Sequence, residues 1–243
     1  MASESPLTPE ETRRYARHLV LKGFGGAAQQ KLKAANVLVV GAGGLGSPAI
    51  AYLAAAGVGH LSIVDPDTVS LSNLQRQVVH TTASIGSSKA ESAGHFASAL
   101  NPHVVLDLHA ASVTGENADH LIGNADMVLD GTDNLVTRRI VAAACERHKK
   151  PLISGAVSMF SGQVTVFAPH LGGPTHAALY PEAASDDALP SCEANGILGP
   201  VTGVIGTLMA MEAIKLITGV GTPLVGRLLV YDAREASFSE LSY

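Results

Sequence analysis

Val37-Leu38-Val39-Val40-Gly41-Ala42-Gly43-Gly44-Leu45-Gly46 is the stretch that decides the fold. Four consecutive apolar residues, without polar alternation, are the pattern of a parallel strand buried on both faces. Gly41, Gly43 and Gly46 then follow in G-x-G-x-x-G spacing, with Gly44 as an extra glycine, and Ala49 to Ala56 supplies a helix of small residues. Glycines permit a tight turn and close backbone approach to a phosphate, while the helix start offers free N–H groups. His60 to Val64 reads as the next strand. Asp65 follows it, 19 residues after Gly46, where a carboxylate accepts from ribose hydroxyls. The combination points to an adenine nucleotide.

The pattern repeats outward from this unit. Thr8-Pro9-Glu10-Glu11 starts a helix that Tyr15, Leu19 and Lys22 continue to Gly23, and Ala27 to Ala35 forms a second. Downstream, helices at Ser88–Leu100 and Val136–His148 alternate with strands at Val104–His109, Ala125–Leu129 and Pro151–Ser154. Such alternation implies a parallel sheet covered on both faces. After Gly155, Gly162 to Phe167 alternates with period two, predicting antiparallel additions. Residues 169–196 read as a long irregular crossover, Val204 to Ile217 as a buried helix and Arg227 to Asp232 as a last strand. The expected fold is α/β: a doubly wound, mostly parallel, Rossmann-like sheet with antiparallel additions and an N-terminal helical segment. A single unit over 1–243 is expected, with helices in 1–35, a nucleotide-binding core in 36–155 and the additions in 156–243.

Composition narrows the function classes. Apolar residues make up 47% and charged residues 15% of the 243, which fits a folded chain with a sizeable core. A net charge of −5 offers no general footprint for nucleic acid or an anionic membrane. Pro151 to Pro181 is uncharged and long enough to span a bilayer, but its Gly, Pro and His interruptions and its alternation read as strands. With no basic-then-apolar leader at Met1–Pro6, the cytoplasm is the expected compartment.

The donors around the fingerprint separate two nucleotide chemistries. Asp65-Pro66-Asp67 is followed by Ser72-Asn73-Leu74-Gln75-Arg76-Gln77 and then Lys89. A guanidinium, amides and an ammonium at the carboxyl ends of the strands suit a triphosphate better than a nicotinamide pyrophosphate. This disfavours the alternative of an NAD-dependent oxidoreductase. Asp130-Gly131-Thr132-Asp133-Asn134 ends the next central strand at the same edge, where carboxylates read as magnesium ligands, direct or through water.

These segments, with Arg14-Tyr15-Ala16-Arg17, Cys192 and Gly206 to Lys215, occur in an order and spacing that resembles the MoeB/ThiF family, relatives of the ubiquitin-activating enzymes. The likeness runs from about Pro6 to the C-terminus, and Asp65 to Gln77 is its most specific part. It implies ATP-dependent adenylation of the C-terminal glycine of a small ubiquitin-like sulfur-carrier protein ending in Gly-Gly. It further implies a homodimer, Mg2+, and a separate protein as sulfur donor. Position by position, it gives Gly44 to the phosphates, Asp65 to the ribose, and Asn73, Arg76 and Lys89 to the triphosphate. Asp133 becomes the magnesium-associated acid, and Arg17 an arginine reaching the partner subunit's nucleotide site. Together the two readings give a nucleotide-contact set of Gly41, Gly43, Gly44, Gly46, Asp65, Asp67, Ser72, Asn73, Gln75, Arg76, Lys89, Asp133 and Asn134. A nucleotide-binding carrier scaffold without activity is the non-enzymatic alternative; retention of Arg17, Arg76, Lys89 and Asp133 together argues against it.

Plainer readings stand beside these roles. Arg17 on a helix face suits solvent, and Lys89 suits a helix surface, although a helix start disfavours a cation without a nearby anion. Gln75 and Gln77 also read as structural residues. Cys145 lies on an apolar helix face with Val141 and reads as core. Cys192 stands between Pro190 and Glu193 either as a carrier-linking nucleophile or as an inert loop cysteine. The family commonly carries two C-x-x-C pairs forming a zinc site. Here the loop reads Thr175-His176-Ala177-Ala178, no cysteine follows Cys192, and His170 and His176 read as polar surface. Two cysteines cannot make a four-thiolate site, so no zinc is expected. Elemental analysis should find well under one zinc per purified chain, and chelators should leave the melting temperature unchanged.

Overall fold

The computed structural model describes residues 6–181 and 196–243. Among these residues eight strands form one sheet: β1 (Asn36–Val40), β2 (His60–Val64), β3 (Val105–His109), β4 (Met127–Asp130), β5 (Leu152–Ser158), β6 (Ser161–Phe167), β7 (Arg227–Asp232) and β8 (Ser237–Ser242). Their order is β3-β2-β1-β4-β5-β6-β7-β8. Pairings up to β5 are parallel, and β6, β7 and β8 join antiparallel. The expected change of pattern therefore comes just after Ser158 rather than at Gly155, because β5 runs on to pair Ser158 with Ser161 of β6.

The apolar run that defines β1 is sorted by strand alternation into two cores. Val37 and Val39 face one, with Ile50 and Leu53 of α4 (Gly46–Ala56), Ala90 and Ala93 of α5 (Lys89–Leu100), and Ile205 and Met209 of the long helix Gly199–Thr218. Leu38 and Val40 face the other, with Ile122 of α6 (Ala118–Gly123) and Val141 and Cys145 of α7 (Leu135–His148). Burying each large aliphatic side chain is worth about 1.5–3 kcal/mol, so neither face tolerates polar substitution in β1. Pro151–Pro181, which the sequence offered as a span, supplies β5 and β6. The long helix is apolar and long enough to cross a membrane by length and composition. Here it packs against α4, β5 and β6, with Val201, Ile205, Met209 and Ala213 buried.

Some elements differ from expectation. The first helix does not run to Gly23: α1 (Pro9–Arg14) ends at Tyr15, and α2 (Ala16–Leu19) and α3 (Gly25–Ala34) follow. Tyr15 is buried, and its hydroxyl accepts from Asn101 Nδ2 at 2.8 Å, so tertiary packing breaks the helix there. The Thr8 cap is as expected, as a capping box with Glu11. The long helix starts at Gly199, five residues before the predicted Val204. Short α6 and β8 carried no clear periodic signal. Every residue of β8 is exposed, and it is held by its ladder to β7 and the stack of Phe238 on Tyr231. Within the expected irregular crossover, the described residues include a 3-10 turn at Pro169–Leu171 and α8 (His176–Leu179). His176 is not polar surface: it is buried, edge-on to Phe167 at 5.2 Å and beside Tyr180 at 4.9 Å.

Register sets the site. Val40 pairs with Val64 on one side and Asp130 on the other, so the chain leaves β1, β2 and β4 at one level. β1 connects onward to β2 on one side while β4 and β5 extend the other, which makes this the crevice where strand order reverses. A side chain at Gly46 would overlap the Gly41 carbonyl oxygen. Gly46→Ala should therefore lower unfolding free energy by about 1–3 kcal/mol in urea titrations, from backbone collision alone. An unchanged midpoint would contradict this packing.

Candidate functional site

A cleft of about 450 Å³ opens over the carboxyl ends of these strands. Gly41, Gly43, Gly44, Asp65, Asp67, Arg76, Lys89, Asp133 and Asn134 line it, so most of the sequence-derived set converges. Gly41 has φ 92°, a conformation that favours glycine, and its N–H donates to Val64 O at 2.8 Å. A side chain at Gly44 would press against the Thr202 side chain of the long helix, which would have to give way by a few tenths of an ångström. No side chain caps the start of α4, which leaves its first-turn N–H groups without a side-chain acceptor.

Asp65 is buried and already occupied. Its Oδ2 accepts from Ala42 N at 2.7 Å and its Oδ1 from Asp67 N at 2.9 Å. Burial raises its pKa, against the opposing hydrogen bonds from Asp67 and Ala42. This carboxylate therefore shapes the turn as well as facing the cleft. Lys89 is no surface residue: its side chain is 8% exposed and its Nζ donates to Asp67 Oδ2 at 2.8 Å. The anion that a lysine needs at a helix start is thus supplied by the chain itself. Arg76 lines the cleft, with one guanidinium nitrogen donating to Ser72 O at 3.1 Å.

Other predicted contacts are redirected. Asn73 is buried, and its Oδ1 accepts from Ser70 N at 3.3 Å, capping a 3-10 turn outside the cleft lining. The Ser72 hydroxyl meets Ser70 Oγ at 3.1 Å, and Gln75 Nε2 donates to Ile197 O at 3.4 Å; neither residue lines the cleft. Gly46 lies beneath the turn as a packing residue. Of the acidic cluster, Asp133 is exposed at the cleft, and Asn134 caps α7 by accepting from Thr137 N at 2.8 Å. Asp130 is no cleft ligand: it is fully buried, with Oδ1 accepting from the Thr132 amide at 3.0 Å and its hydroxyl at 2.6 Å. Arg17 is exposed on α2 and lies outside the lining of this cleft. Cys192 lies outside the described residues. Cys145 is buried core, and desolvation first, then Asp130 and Glu146, push its thiol pKa far up, which makes it inert.

The sequence reading missed Arg138. It lies 5% exposed at the cleft wall and donates to Gly155 O at 2.7 Å, to Ser154 Oγ at 3.2 Å and to Thr132 O. Another of its guanidinium contacts is Asp130 Oδ2, at 3.7 Å. It ties the Asp133 loop to β5, and its only sequence signal was an arginine one turn into the helix after Asn134. Gln77 is also more than filler: it is buried and lines the cleft beside Gly43, and its Oε1 has no hydrogen bond among the described residues.

The sequence profile of the ThiF family matches residues 15–243. The chain is 47% identical over 241 residues to a protein of Mycobacterium tuberculosis described as probable adenylyltransferase/sulfurtransferase MoeZ, covering 98% of this chain and 62% of that one. It is 45% identical over 239 residues to the sulfur carrier protein adenylyltransferase of Thermus thermophilus, covering 97% and 88%. Against the adenylyltransferase and sulfurtransferase MOCS3 of Drosophila sechellia, identity is 44%, and the chain spans only 53% of that length. Among solved structures, E. coli MccB with ATP superposes with a TM-score of 0.82 at 22% identity, covering 94% of this chain and 71% of that one. That likeness concerns the fold alone.

The double duty of Asp65 makes a prediction. Asp65→Ala should weaken ATP binding about tenfold or more by calorimetry. It should also cost about 1–3 kcal/mol of stability, since the Ala42 N–H loses its buried acceptor. Full stability with weakened binding would mean that the carboxylate touches only ligand.

Proposed function

The chain belongs to the ThiF family, and from that membership we propose that it is an ATP-dependent adenylyltransferase acting on the C-terminal glycine of a ubiquitin-like sulfur-carrier protein. The observation that carries the reading is the convergence of Arg76, Lys89 and the glycine turn on one cleft, with Asp133 on its opposite wall. Residues 1–243 act as one adenylation unit in this reading, and a separate protein donates sulfur afterwards.

In the proposed reaction, the carrier's terminal carboxylate oxygen attacks the α-phosphorus of ATP. A new oxygen–phosphorus bond forms, the bond to the β-phosphate oxygen breaks, and pyrophosphate leaves with its electron pair. The product is an acyl-adenylate. No general base is needed, because a terminal carboxylate is ionised at neutral pH. Gly43, Gly44 and the uncapped start of α4 would cradle phosphate oxygens. Arg76 and Lys89 would stabilise charge that grows toward the transition state. Lys89 pairs with Asp67, so a phosphate bound here would compete with that carboxylate for the ammonium. Asp133, exposed and facing the cleft, fits a magnesium ion held by one carboxylate and phosphate oxygens; such an ion would neutralise the leaving pyrophosphate.

Arg17 is proposed to serve the partner subunit of a homodimer. Its neighbours are anchored: Tyr15 bonds Asn101, which donates to Ala54 O at 2.7 Å, and His18 meets Gln29, which donates to Ala56 O at 2.8 Å. The helix is thus fixed to the end of α4 while Arg17 itself is exposed, which suits a guanidinium offered in trans. Cys192 is proposed as the carrier-linking nucleophile.

Pyrophosphate exchange into ATP, dependent on a Gly-Gly-ending carrier, tests the reaction. Lys89→Ala and Arg17→Ala homodimers should each lose about 10²-fold or more. Mixed with subunit exchange, half the dimers become heterodimers with one intact site, restoring up to about a quarter of wild-type activity. No restoration, with heterodimers verified, would place Arg17 in its own chain's site.

A further inference from the structure

Ala42 offers the cleft no functional side chain, yet both peptide units that meet at it are tied down. Its N–H is held by Asp65, and its carbonyl oxygen lies 2.9 Å from Nε2 of His80. The other ring nitrogen, Nδ1, lies 2.9 Å from Ser92 Oγ. His80 is 5% exposed and Ser92 6%, so little water reaches either contact. A carbonyl oxygen only accepts, so Nε2 carries the proton, and the bare Nδ1 accepts from the serine hydroxyl. Burial first, with Lys89 also disfavouring the cation, holds His80 below its ordinary pKa; the Ala42 carbonyl and Asp65 oppose this less strongly.

Peptide planarity turns this contact into a functional one. In a trans peptide the C=O and the following N–H point in opposite directions. Holding the Ala42 carbonyl against buried His80 therefore directs the Gly43 N–H away from it, and Gly43 lines the cleft. Ser92 stands three residues after Lys89 on α5, so one helix locates both the ammonium and the support of the ring. We propose that His80, as a neutral imidazole protonated at Nε2 and braced by Ser92, is a positioning residue that aims the Gly43 amide of the phosphate-binding turn. This rests on the nucleotide reading above. His80 touches no reacting atom and acts through the Ala42–Gly43 peptide.

The first test reads the wild-type ring itself. Nitrogen-15 spectra of wild-type imidazoles at pH 7, with the His80 signal assigned by its loss in His80→Gln, should show a neutral ring protonated at Nε2. A proton on Nδ1, or an imidazolium, overturns the proposal. Calorimetry with ATP gives the second test. His80→Phe keeps ring volume without the donor and should weaken affinity about tenfold, whereas His80→Gln, which restores a donor at that reach, should stay within about threefold. Wild-type affinity in His80→Phe, or equal loss in both, overturns the role. Should His80→Phe not fold, Ser92→Ala replaces it: affinity should fall about threefold with a mixed tautomer signal, and no change in either sinks the bracing. Wild-type protein that binds ATP but exchanges no pyrophosphate would refute the adenylation reading while leaving these readouts intact.

Discussion

Backbone passes so close to backbone at the end of β1 that side chains are excluded, and the site is built around that exclusion. Gly46 sits against the Gly41 carbonyl, and a side chain at Gly41 would press on the Gly131 carbonyl oxygen at 3.2 Å. Gly131 N–H closes the same junction by donating to Val40 O at 3.0 Å. Three strand exits are thereby held edge to edge, and the start of α4 is brought down onto them. The cleft exists because three glycine backbones occupy the space that side chains would otherwise fill.

Around this junction the polar groups form a connected frame. Asp65 ties Ala42 to Asp67, Asp67 ties to Lys89, and the helix carrying Lys89 returns through Ser92 and His80 to Ala42. On the opposite wall Arg138 and Asp130 lock the loop that bears Asp133. Arg138 and Asp130 are both buried, so their attraction does little for net stability because desolvation offsets most of it, but removing one partner of such a buried pair typically costs about 3–5 kcal/mol. Both walls are therefore geometrically fixed while Arg76 and Asp133 keep solvent access, an arrangement suited to groups that must exchange partners when an anion arrives.

The N-terminal helices obey a related logic. Gly57, with φ 82°, ends α4 without a side chain, and the Tyr15 ring occupies that space. Lys33 and Glu11 pair at 2.8 Å behind it. Anchoring on both flanks leaves Arg17 displayed from a rigid support, outside the cleft of its own chain.

The sequence by itself determined the parallel sheet, the glycine turn and the acid after β2, because these rest on local rules: an unbroken apolar run, φ values that favour glycine, and fixed spacing along one strand–turn–helix unit. It also gave most of the cleft, since residues leaving neighbouring parallel strands must emerge together. Tertiary structure alone decided which polar side chains face ligand and which hold the frame. Asn73, Ser72 and Gln75 carry the same chemical signal as Arg76 in sequence, yet their side chains cap a turn, meet a neighbouring hydroxyl or bind a distant carbonyl. Asp130 and Asp133 differ by one turn of backbone and by complete burial. Arg138 and His80 were illegible because their partners, at Gly155 and Ala42, come from other elements, and only packing brings a buried donor within reach of a distant backbone oxygen.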